Sequence, residues 1–324
     1  MDRRTLLTSG ITAAALAVAG GTASATPAPT AQSALSDETL ARSLGGDFTS
    51  RHAEVAGTRL HYVIGGTGSP LVLLPGWPET WWQFHKIMPA LAENYRVIAV
   101  DLRGMGGSGK PVNGYDKKTM AGDIHELVRQ LGYDQVDIAG HDIGAMVAQS
   151  LGNNYPAMAR KIALLDVAHP DESLYQLTLI PQPGQPFFLW WFAFNQVAGL
   201  PEQLLTGRFR LLTDYLCALM LENPDAITDH DRAIYAAAYS SADAIRAGNG
   251  WYQTFGQDIV DANGYAELTM PILGLAASGN YQYLADLLPR KAIDVQVREV
   301  ANTGHYLVEE QPDVIIAELR KFFG

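Results

Sequence analysis

From residue 51 onward the chain alternates between short apolar runs and longer stretches whose apolar residues recur at helical spacing. Residues 52–55 and 60–64 flank a turn at Gly57 and predict two antiparallel strands. Residues 70–74, 95–100, 136–139, 161–165, 271–275 and 295–300 predict further strands, most of them apolar at consecutive positions, as a strand covered on both faces requires. Between them the spacing predicts helices over 81–91, 118–131, a stretch ending near Asn154, 283–288 and 312–322. Such alternation predicts an α/β fold with a mostly parallel sheet flanked by helices. The rhythm stops over 169–263, which is rich in aromatic residues and has no buried-strand run. That segment reads as a helical cap inserted into a core made of 51–168 and 264–324. There are no internal repeats.

Composition narrows the picture. With 324 residues, 48% hydrophobic and 18% charged, the chain suits one large α/β domain carrying an insertion. A net charge of −11 and a pI near 5.1 argue against nucleic acid or an anionic membrane as partner and leave a small neutral substrate compatible. Arg3-Arg4, a mildly apolar stretch over 11–19 and Ala23-Ser24-Ala25 form the pattern of a twin-arginine signal peptide over 1–25. The apolar stretch is too short to anchor in a membrane. The expected location is therefore secreted or extracytoplasmic, with 26–50 a linker and N-terminal extension. The single cysteine, Cys217, rules out an intramolecular disulfide, and its apolar neighbours predict a buried thiol.

The chemistry centres on 136–145, VDIAGHDIGA. A strand runs into Gly140-His141-Asp142-Ile143-Gly144 and a helical pattern follows, the G-x-nucleophile-x-G arrangement with aspartate at the centre. A carboxylate held at such a turn can attack a saturated carbon and form an alkyl-enzyme ester, while the helix N-terminus behind it offers backbone N–H donors. Two other patterns fail. Residues 104–110 match the first positions of a phosphate-binding loop, but Pro111 stands where Ser or Thr would hold magnesium. His125-Glu126 lacks the second histidine of a zinc helix, and no metal or cofactor is expected.

Four ordered motifs, PGWPE at 75–79, DLRGMGGS at 101–108, GHDIGA at 140–145 and GHYLVEEQP at 304–312, resemble the α/β-hydrolase superfamily in its epoxide hydrolase and dehalogenase branch. The resemblance implies Asp142 as nucleophile and His305 as the base that activates water against the ester. Most relatives carry the orienting acid after the strand at 272–275, where this chain has no carboxylate and Asn280 is the nearest polar stand-in. Some dehalogenases place it after the nucleophile helix and the next strand, which implies Asp166. Backbone N–H groups of Trp77 and Ile143 would form the oxyanion hole, with Pro75 where relatives have histidine. In the cap, the resemblance implies Tyr235 as a donor to an epoxide oxygen, with Trp190, Trp191, Tyr239 and Tyr252 around the leaving group. Ile143 and Met146 stand where relatives acting on haloacids carry arginines, which favours an apolar neutral substrate. The expected activity is hydrolysis of a hydrophobic epoxide to a diol. The alternatives are a carbon–halogen hydrolase with the same Asp and His, or a member that binds a small ligand without turnover.

Overall fold

The computed structural model of the chain describes residues 35–178, 180, 181, 183 and 189–324. The export segment expected at 1–25 lies outside the described residues. Among those described, no helix is long and apolar enough to cross a membrane.

The apolar runs form strands β1 (Thr49–Val55), β2 (Thr58–Gly65), β3 (Ser69–Leu74), β4 (Tyr95–Asp101), β5 (Val136–His141), β6 (Ala159–Leu165), β7 (Ile272–Ala277) and β8 (Val295–Val300). They make one sheet in the order β1-β2-β4-β3-β5-β6-β7-β8. β2 pairs antiparallel with β1 and β4, and every other pairing is parallel. The central strands are buried on both faces, with Leu71, Val72, Ile98, Ile138, Ile162 and Leu273 fully enclosed, because helices cover both sides of a parallel sheet. Parallel strands in this order direct the carboxyl ends of β3, β5, β6 and β7 to one edge, where open α/β sheets gather ligands.

The helices are α1 (Asp37–Ser43), α2 (Met88–Leu91), α3 (Lys117–Gln130) and α4 (Ile143–Asn154), followed between β6 and β7 by α5 (Trp190–Gln196), α6 (Leu200–Leu205), α7 (Phe209–Met220), α8 (Asp229–Ala238), α9 (Ala242–Gln253) and α10 (Phe255–Ala262). After β7 come α11 (Ser278–Leu287), α12 (Leu307–Glu310) and α13 (Pro312–Phe323). Two local expectations change. The stretch 81–91 is a 3₁₀ turn, Trp81–Phe84, followed by the separate α2, because Pro89 lacks the N–H that a continuous helix needs and suits a first turn instead. Part of the expected linker is helical: Ser36 caps α1 by accepting from the Thr39 N–H, and Leu40, Ala41 and Phe48 are buried.

One buried ion pair joins the inserted helices to the sheet domain. Lys117, at the start of α3, donates from Nζ to Asp258 Oδ2 and to the Trp251 carbonyl at 2.7 and 2.6 Å, and its own N–H donates to Asp258 Oδ1 at 2.7 Å. Both side chains are fully enclosed, so loss of one partner strands the other's charge away from water. Asp258→Ala should cost about 3–5 kcal/mol, read as a lower urea midpoint.

Candidate active site

β5 ends at His141 and α4 begins at Ile143, which leaves Asp142 alone in the turn. Its backbone, at φ 49° and ψ −120°, is in a region costly for any residue with a side chain. The surroundings hold it there. A Cβ on Gly140 would strike the Gly144 carbonyl, a Cβ on Gly144 would strike the Leu74 carbonyl, and one on Gly76 would lie 2.6 Å from Asp142 Cβ. Glycine at these positions lets three backbone segments close around one carboxylate.

Asp142 is buried yet lines a cavity of about 670 Å³. The Trp77 N–H donates to its Oδ2 at 2.9 Å, and Ile143 opens α4, where N–H groups have no partner within the helix. Pro75 leaves the Trp77 donor in place, and the Trp77-Pro78 peptide is cis.

Asp166 follows β6 with φ 67° and accepts from three donors: His305 Nδ1 at 2.7 Å, Asn280 Nδ2 at 2.7 Å and the Ala277 N–H at 2.9 Å. The two residues offered by the sequence as orienting group therefore belong to one chain of bonds, in which Asn280 bonds to Asp166 and Asp166 bonds to His305. With Nδ1 donating to Asp166, the His305 ring leaves Nε2 as its free nitrogen. Burial pulls this imidazole down, but the Asp166 hydrogen bond and the charges of Asp166 and Asp142 outweigh it and hold the ring above its ordinary value.

Trp77, Asp142, Asp166, Trp191, Tyr252 and His305 all line the cavity. Its other walls are mainly apolar, among them Met146, Val167, Leu174, Phe192 and Met220, and no Lys or Arg stands among the described lining residues. Burial first, then the nearby Asp142 charge, pushes the Tyr252 phenol well above its usual range, so it keeps its proton.

Three expected pocket residues are placed elsewhere. Tyr235 is fully buried and donates to Glu309 Oε1 at 2.8 Å, away from the cavity lining. Tyr239 donates to the Glu79 carbonyl at 2.9 Å. Trp190 is half-buried and packs on Phe194 and Tyr215. The reason is the helix face: the buried side of α8 carries Tyr235 toward Glu309 of α12, whereas α9, held by Trp251 Nε1 donating to the Arg103 carbonyl, turns the next residue toward Asp142. Two buried tyrosines in similar helical contexts cannot be told apart by spacing. The acid partner on α12 was the distinguishing signal, and it lies 74 residues away.

Among the described residues, Asp37, His61 and Asp101 sit close enough to share a cation. Their atoms are already paired, with His61 Nδ1 on Asp101 at 2.8 Å and Asp101 also accepting from the Trp81 and Gly107 N–H groups, which makes the group a brace for α1 and β2. Lys110, the phosphate-loop candidate, donates to the carbonyls of Gly106 and Ser108 in its own loop.

The fold has counterparts among known proteins. The alpha/beta hydrolase fold family matches residues 69–312. A soluble epoxide hydrolase of Corynebacterium sp. (strain C12) is 34% identical over 288 residues, covering 86% of this chain and 98% of that one. A fluoroacetate dehalogenase of Burkholderia sp is 31% identical over 163 residues, covering 49% of this chain and 53% of that one. The solved structure of the epoxide hydrolase CorEH, without ligand, superposes with a TM-score of 0.77 at 34% identity, over 86% of this chain and 99% of that one. The chain belongs to the alpha/beta hydrolase fold family, in its epoxide hydrolase and dehalogenase branch. It is an enzyme, an epoxide hydrolase-like hydrolase, which sets aside the reading as a binder without turnover.

Proposed function

We propose that the enzyme opens a hydrophobic, uncharged epoxide to a vicinal diol through an ester on Asp142. The observation that carries the reading is the Tyr252 phenol in the same apolar cavity as the Asp142 carboxylate. Asp142 Oδ2 is occupied by the Trp77 N–H, which leaves Oδ1 to attack a ring carbon as the carbon–oxygen bond breaks. The departing oxygen takes the Tyr252 proton, with the Trp191 indole N–H as a second donor. Water then adds to the ester carbonyl as His305 Nε2 takes its proton. The oxyanion is met by the N–H groups of Trp77 and Ile143, and collapse releases the diol and the free carboxylate. The proton taken by His305 makes good the one given up by Tyr252, by way of solvent, so epoxide plus water gives the diol with both side chains restored.

The test is product analysis on aryl and alkyl epoxides beside haloalkanes and haloacids. Diol from the neutral epoxides supports the reading. Halide release without diol would assign the Trp191 and Tyr252 donors to a halide and overturn it. Tyr252→Phe should lower the ring-opening rate about 10²-fold, since it removes the proton donor and keeps the ring's bulk. Tyr235→Phe should leave ring opening near wild type while lowering stability by about 1–3 kcal/mol, because Glu309 loses its partner. The reverse pattern in rapid-quench kinetics would move the donor to α8. We further propose that the protein acts outside the cytoplasm, on the strength of the paired arginines and A-x-A pattern of 1–25. Release of mature protein beginning at Thr26, abolished by Arg3→Lys with Arg4→Lys, would support export.

A further inference from the structure

A side chain on the turn before α2 joins the oxyanion loop to the loop of the base. The Gly76 N–H donates to Gln83 Oε1 at 3.0 Å, and Gln83 Nε2 donates to His141 Nδ1 at 2.6 Å. His141 Nε2 donates in turn to the carbonyl of His305 at 2.9 Å. Gln83 and His141 are fully buried, so water offers neither a substitute partner.

The direction of this relay is fixed at both ends. A backbone N–H can only donate, so Gly76 sets the Gln83 amide with its oxygen toward the loop and its NH₂ toward His141. A backbone carbonyl can only accept, so His305 requires the His141 proton on Nε2. Burial, and then the neighbouring His305 ring, pushes His141 down to about 4, so the ring is neutral and carries the single proton that this pattern needs. Every bond points from the Trp77 loop toward His305.

We propose that Gln83 is a positioning residue for the hydrolytic step: through His141 it sets the His305 backbone relative to the Trp77 donor, so that base and oxyanion hole meet the same ester carbonyl. The proposal rests on the ester reading given above. It assigns Gln83 chiefly to the second half of the reaction, because His305 acts only on the ester and Trp77 must there meet a developing oxyanion, whereas in ring opening Trp77 only holds Asp142 Oδ2. Displacing such groups by about 1 Å is enough to cost on the order of 10²-fold.

The experiment is single-turnover rapid quench with mass detection of the Asp142 peptide, on the full enzyme with an aryl epoxide. Gln83→Leu removes both bonds at nearly constant volume. Ester should form at close to the wild-type rate and persist, with hydrolysis slowed about 10–10²-fold. Wild-type hydrolysis would overturn the proposal, and so would equal slowing of both steps, since that is the mark of general loosening. Should the leucine variant not fold, Gln83→Glu carries the test. A glutamate there serves Gly76 with one oxygen but needs one extra proton, shared with His141, to keep the second bond. The titratable groups that face His141 there are Glu79, at 3.6 Å from Nδ1, the His305 ring, at 4.6 Å between centroids, Asp142 and Asp166. Hydrolysis by Gln83→Glu should therefore fall at alkaline pH where wild type does not, and a profile parallel to wild type would overturn the assignment. Asp142→Ala run alongside separates the two levels: persistent turnover in that variant refutes the ester reading itself, whatever Gln83 does.

Discussion

Asp142→Ala is expected to reduce turnover to background, a loss on the order of 10⁴-fold or more, with the fold retained. The size follows from the site. In the proposed reaction Asp142 supplies the atom that forms the new bond, and among the described residues lining the cavity Asp166 is the other carboxylate, held by three donors and turned to His305. Stability should not fall with activity, because an alanine inherits a backbone conformation that is unfavourable for either residue and loses only the Trp77 bond. A single turnover in ¹⁸O-water checks the mechanism independently. The label should appear in the Asp142 carboxylate and not in the first diol released, since water attacks the ester carbonyl and the substrate carbon keeps the oxygen donated by Asp142. Label in the first diol would mean direct attack by water and would refute the ester.

His305→Gln should separate the two halves of the reaction. Ring opening needs no base, so the ester should form and then persist, with hydrolysis slowed about 10²–10⁴-fold, the contribution of a placed general base. Intact-protein mass spectrometry would show the substrate's added mass on the variant and none on Asp142→Ala. The wild-type pH profile carries the same information. The proposed base acts only when neutral, and in the ester, where Asp142 carries no charge, the Asp166 bond and charge still hold the His305 ring up against burial, so hydrolysis should rise with pH through an imidazole midpoint. Asp166→Asn, which removes the charge holding the ring up, should move that midpoint down while lowering the plateau. A midpoint unmoved by Asp166→Asn would break the pairing seen at 2.7 Å.

The sheet was legible because its strands are continuous apolar runs, and a parallel sheet buried on both faces leaves that pattern in the sequence. The turn at Asp142 was legible for a similar reason, since the glycines at 140 and 144 leave no room for a side chain. What the sequence could not display was direction across space. Tyr235 and Tyr252 occupy similar helical contexts, and only the packing of α8 on Glu309 and of α9 on Arg103 separates them. Asp166 and Asn280 looked like competing positions because the bond that joins them, and leaves Asp166 as the residue on His305, spans 114 residues of chain. Gln83 gave no signal, as a single glutamine in a polar and aromatic turn has no periodicity to betray its bonds to Gly76 and His141.

The buried Lys117–Asp258 pair reaches beyond stability. Lys117 also holds the Trp251 carbonyl, the peptide joined directly to Tyr252, while the Trp251 ring is tied to Arg103. The phenol is thereby referenced to the same rigid sheet as the carboxylate, and the gap between them behaves as a fixed gauge. For the proposed reaction, a three-membered ring must bridge that gap with its oxygen at one end and one carbon at the other. The two mirror-image forms of a substituted epoxide then present their arms to different walls of the cavity. In that reaction the handedness of the product would follow from those walls, Leu174 and Phe192 among them, and not from movement of the groups that make and break bonds.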